Sequence, residues 1–68
     1  MTLAHFNTLP YEQQLALVYA EGSYVATRSQ EVYEAVQLYE MPGRFFVELT
    51  SDTETNDVQY LRAFEAGG

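Results

Sequence analysis

The sequence predicts an α+β domain, with one N-terminal helix packed on a four-stranded antiparallel β-meander. Three observations predict it. Apolar residues in the first third recur with a period near that of a helix. After Gly22 the period falls to that of a strand, in segments rich in Val, Tyr, Phe and Thr. The links between those segments are short, which makes neighbouring strands antiparallel.

The helix is expected over about Leu9–Glu21, in "FNTLPYEQQLALVYAEG". Thr8 offers a capping hydroxyl, and Pro10 fits a first turn that does not need its N–H. Glu12 lies near the positive end of the helix dipole. Tyr11, Leu15, Val18 and Tyr19 form one apolar stripe, with Phe6 folding back as a staple. Gly22 stands where a left-handed C-terminal residue would end the helix.

Four strand segments follow: "SYVATRS", "EVYEAVQLYEM", "RFFVELTS" and "DVQYLRAFEA". Ser29-Gln30, Pro42-Gly43 and the polar run "SDTETND" separate them. A loop of Pro42-Gly43 sets Leu38 opposite Val47, Val36 opposite Leu49 and Tyr39 opposite Phe46. A loop of Ser29-Gln30 sets Arg28 opposite Glu31 and Thr27 opposite Val32. Directly opposed residues share a face. One face then collects Val25, Thr27, Val32, Val36, Leu38, Phe45, Val47 and Leu49 as the core. The other collects Tyr24, Ala26, Arg28, Tyr33, Ala35, Tyr39, Arg44, Phe46 and Glu48. The last strand fits two ways, with either Leu61 and Ala63 or Val58, Tyr60 and Phe64 towards the core. In the first case Tyr60, Arg62 and Phe64 join the second face. Pro-Gly favours a type II turn, which twists the wrong way for a tight hairpin, so a wider or bulged link is expected. An even-length loop keeps the faces, whereas a slip of one residue exchanges them.

The chain has 68 residues, read as a single domain over 1–68. A domain this small has a thin core and calls for support from disulfides, metals or oligomerisation. Cysteine is absent and His5 is the lone histidine, which leaves oligomerisation. No metal or other cofactor is expected. "DTETNDVQYLRA" opens like a calcium loop but has Asp57 at its sixth position and Ala63 at its twelfth, where glycine and glutamate are needed.

Enzymatic chemistry finds little footing. Without cysteine or lysine there is no thiol or Schiff-base mechanism. Ser23, Ser29 and Ser51 do not sit in a nucleophile elbow. Glu34, Glu40 and Glu48 could pair across a cleft, but a chain this short leaves little room for one of about 300–1,000 Å³. No glycine-rich loop feeds a helix N-terminus.

The net charge of −7, with Arg28, Arg44 and Arg62 as its only Lys/Arg cations, argues against nucleic acid and anionic membranes as partners. It permits basic protein partners. No apolar run is long enough to span a membrane, and the N-terminus lacks signal-peptide regions, so a cytoplasmic protein is expected.

A single helix covers one side of a sheet, so the second face carries the functional expectation. A solvated face should alternate apolar and polar residues cleanly. This one gathers tyrosines, a phenylalanine and arginines, the types enriched at interfaces. The expectation is a non-enzymatic interaction module forming a homodimer through Tyr24, Tyr33, Tyr39 and Phe46 as apolar anchors, with Arg44 and Arg62 as charged partners. The alternative is an acidic inhibitor or decoy that blocks a basic protein surface, such as a nucleic-acid-binding one. A transcription accessory lacks a DNA-reading helix, and a small enzyme would need a pocket of convergent polar groups.

Overall fold

The computed structural model describes residues 1–65. They form an α+β fold with two helices followed by an antiparallel four-stranded meander of order β1-β2-β3-β4. Ala66, Gly67 and Gly68 lie outside the described residues.

The helical region is two elements rather than one. α1 spans Leu3–Asn7 and α2 spans Tyr11–Glu21. Thr2 caps α1 by accepting from the His5 N–H at 3.1 Å. Thr8 is not the cap of the long helix, because its hydroxyl donates to the His5 carbonyl at the end of α1. Pro10, with φ −59°, takes the N-cap position of α2 instead. Phe6 does more than staple a helix end: it is fully buried at the centre of the core. Gln14 ties the two helices by donating to the Phe6 carbonyl at 2.9 Å. Of the expected stripe, Val18 is buried and Leu15 half-buried, while Tyr11 and Tyr19 are exposed.

Gly22 ends α2 for a different reason from the one its position suggested. Its φ is −74°, so no left-handed conformation is needed. A Cβ there would lie 2.5 Å from the Val18 carbonyl oxygen and 3.1 Å from the Met41 sulfur. Gly22 is required by the close passage of the chain into β1, whose first residues pair with the end of β2.

The strands are β1 Ser23–Glu31, β2 Glu34–Met41, β3 Phe45–Asp52 and β4 Val58–Glu65. The hairpin after β2 has a three-residue loop, Pro42-Gly43-Arg44, because Met41 pairs with Phe45. Gly43 and Arg44 both have positive φ, 104° and 66°. The added residue moves β2 by one position against β3. Tyr39 faces Val47, Gln37 faces Leu49 and Leu38 faces Glu48. The expected pairs of Leu38 with Val47 and Val36 with Leu49 are therefore not formed.

The first hairpin is also shifted. Its loop is Val32-Tyr33 rather than Ser29-Gln30, and Arg28 pairs with Val36 rather than Glu31. A hydrogen bond from the Thr53 N–H to the Tyr33 carbonyl, 2.9 Å, fixes this turn against the end of β3. β1 also slips twice against β2, at Val25 and at Gln30. β4 settles the two-way choice: Leu61 pairs with Leu49 and Ala63 with Val47.

The core lies under the helices. Phe6, Val18, Met41, Phe45, Val47 and Leu49 form it, with Leu61 and Ala63 packed against it. Phe6 and Phe45 meet at 5.3 Å between ring centroids. α1 lies on β4 and α2 on β2, and every residue of β1 is exposed. Among the described residues no helix is long and apolar enough to cross a membrane.

Candidate functional site

The face of the sheet turned away from the helices is the first candidate. Strand pairing places Ala26 and Arg28 of β1, Val36, Leu38 and Glu40 of β2, Phe46, Glu48 and Thr50 of β3, and Tyr60, Arg62 and Phe64 of β4 on it. Phe46 and Phe64 stack across the strands, 5.9 Å between centroids and 22° between planes. Leu38 is half-buried, and Val36, flanked by its pairing partners Arg28 and Thr50, is buried.

Its charges converge on one carboxylate. Arg28 Nη2 meets Glu48 Oε2 at 3.2 Å, and Arg62 Nε meets Glu48 Oε1 at 3.2 Å. Glu48 is largely shielded at 19% exposure, while the arginines stand out at 57% and 68%. Each guanidinium keeps donors for a further acceptor. Arg62 also lies over the Phe64 ring, 4.7 Å from its centroid. The result is an aromatic stack bordered by a three-residue charge cluster.

This arrangement revises the expected anchor set. Phe46 and Arg62 lie on the face as expected. Tyr24 and Tyr39 do not, because the slip in β2 turns both towards the helices. Tyr39 packs there against Tyr19 at 6.4 Å and Tyr24 at 5.9 Å. Tyr33 sits in the loop between β1 and β2, and Arg44 at the tip of the next hairpin. Both are exposed, and neither joins the stack. Val36 and Leu38 replace them, residues that the two-residue loop had assigned to the core.

The tip itself is a packing site. A Cβ on Gly43 would overlap the Met1 carbonyl oxygen, so the N-terminal residue rests on the hairpin. On the helix side, α2 leaves one end of the sheet open. A cleft of about 400 Å³ there is lined by Tyr19, Gln37, Tyr39, Ser51, Asp52 and Asn56, among others. A chain this short is expected to leave little room for such a cleft. Burial of the Tyr39 phenol, then the adjacent Tyr19 and Tyr24, raises its pKa above the ordinary 10.0. Among the described residues, no group of three His, Asp or Glu side chains converges as metal ligands would.

No family, curated protein or solved structure matches this chain in comparison with known proteins. Function is therefore read from the chemistry of its surfaces.

Proposed function

We propose that this chain is a non-enzymatic interaction module that pairs with a second copy of itself through the open face of its sheet. The carrying observation is the Phe46–Phe64 stack, left without a covering layer beside Val36, Leu38 and the Arg28–Glu48–Arg62 cluster. Aromatics and arginine in this combination supply most of the energy at measured interfaces. A two-fold pair uses the same patch twice. Arginines from one copy can then meet Glu40 of the other, which is exposed on the same face. A thin single-layer core gives the pairing a second purpose, since it covers apolar surface the monomer cannot.

Charge opposes this association, because each copy carries −7. Salt screens that repulsion, so pairing should strengthen as salt rises. The alternative reading, an acidic decoy for a basic protein, is favoured by the same charge and by exposed Glu54 and Asp57 in the β3–β4 turn. It has the opposite salt dependence, because attraction between unlike charges weakens on screening. Light scattering at micromolar concentration, in low and high salt, tests the proposal. The expected result is a dimer that grows with salt and is abolished by Phe46→Glu. A monomer under all conditions, with Phe46→Glu unchanged, overturns it.

A further inference from the structure

We propose that the cleft between the C-terminal end of α2 and the uncovered end of the sheet binds an alkylammonium group. This site is on the opposite side of the sheet from the self-association face and does not depend on it. Tyr19 and Tyr39 form one wall, their rings nearly perpendicular at 85° and 6.4 Å apart. Tyr24 packs against Tyr39 at 5.9 Å, outside the cleft lining. Tyr19 and Tyr24 are more than half exposed, so aromatic surface stays uncovered in the monomer. A cation is attracted to the negative faces of such rings.

Charge on this side of the molecule is one-sided in the same sense. Arg28 and Arg62 are held by Glu48 on the other face, and Arg44 lies at the hairpin tip. None of the three lines the cleft. α2 ends beside Tyr19 with no basic residue in its last turn and with Glu21 as its final residue. The negative end of the helix dipole is therefore left without a cation to offset it. Asp52 lines the far side of the cleft, its Oδ1 held by the N–H groups of Glu54 and Thr55. Gln37 and Ser51 on the floor supply polar atoms. At about 400 Å³ the cleft falls within the range of small-ligand sites, roughly 300–1,000 Å³. The two tyrosine rings and the acidic lining residue Asp52, with no arginine beside them, favour positive charge.

The ammonium can belong to a free small molecule or to a lysine side chain on a protein, and the test separates them. The full chain is titrated, with backbone amide shifts followed by NMR, using choline, a short lysine-containing peptide and the neutral isostere 3,3-dimethylbutanol. Saturating shifts at Tyr19, Gln37, Tyr39 and Ser51 are expected with a charged probe, and weaker ones with the isostere. Tighter binding of choline assigns a free ammonium, and tighter binding of the peptide a protein side chain. Tyr19→Ala, at an exposed position that folding tolerates, should weaken binding about two- to fivefold. Tyr39→Phe keeps the ring and should retain binding. The proposal is overturned if neither charged probe saturates, if the isostere binds equally well, or if Tyr19→Ala leaves affinity unchanged.

Discussion

Phe45 and Phe46 are adjacent, yet the fold gives them opposite tasks, and replacing each by alanine separates those tasks. Phe45 is fully buried and packs on Phe6 at 5.3 Å. Truncating a buried phenylalanine costs about 3–5 kcal/mol, from lost transfer energy and the cavity left behind. A folded chain has about 0.05–0.15 kcal/mol of stability per residue, which gives 68 residues roughly 3–10 kcal/mol in all. Phe45→Ala therefore removes about 30% or more of the total and leaves the domain marginal or unfolded. Phe46 is half-buried and loses a stacked partner, Phe64. An aromatic pair adds about 0.5–1.5 kcal/mol beyond area burial, so Phe46→Ala should cost the monomer about 1–2 kcal/mol. Urea unfolding followed by circular dichroism, at dilution low enough to exclude association, reads the difference. With a slope near 1 kcal/mol per molar for a small protein, the midpoint falls by about 1–2 M for Phe46→Ala and by about 3–5 M for Phe45→Ala. Phe45→Leu, which keeps more of the core, provides a measurable transition if Phe45→Ala does not fold. Equal losses at the two positions would refute the division of the strand into a core face and a partner face.

Three further outcomes follow from the geometry. Gly43→Ala forces a side chain into positive φ and against Met1, and should cost about 1–3 kcal/mol; a thermal melt that does not move contradicts the packing of the N-terminus on the hairpin. Tyr39 has a raised pKa when folded, so the stability it contributes is complete below its ordinary value of 10.0 and is lost as pH rises through the folded value. Tyr39→Phe should therefore flatten the alkaline limb of a stability–pH curve, and an unaltered limb counts against that burial. Glu48→Gln removes the charge shared by two exposed arginines, so the monomer should lose under about 1 kcal/mol. Its effect should be non-additive with Arg28→Gln and Arg62→Gln in double-mutant cycles, and strict additivity argues against a shared cluster.

The α+β class and the order of elements were legible because helical and strand periods divide the chain so clearly at Gly22. The face assignment of β3 was legible too. Phe45, Val47 and Leu49 are large and apolar, whereas Glu48 and Thr50 alternate with them. β2 was not legible, since Val36 and Leu38 on one side and Tyr39 and Met41 on the other make both faces credible. The decision lay in one loop residue. Arg44, an unexpected residue for positive φ, turns Pro-Gly into a three-residue link. That slip moved Tyr24 and Tyr39 out of the expected interface and brought Val36 and Leu38 in. The short α1 was missed because five residues are too few to show a period. The cleft was missed because it depends on how far along the sheet α2 reaches, which no local pattern encodes.

Self-association, as proposed, brings Phe46 and its neighbours against a second copy of the chain. Isotope-filtered NMR on a mixture of labelled and unlabelled protein tests it most directly, by detecting only contacts between copies. Intermolecular contacts are expected among Leu38, Phe46, Arg62 and Phe64, and they disappear in Phe46→Glu. Intermolecular contacts confined to β1 or to the tyrosine cleft, or none in salt high enough to screen the charge, would contradict it.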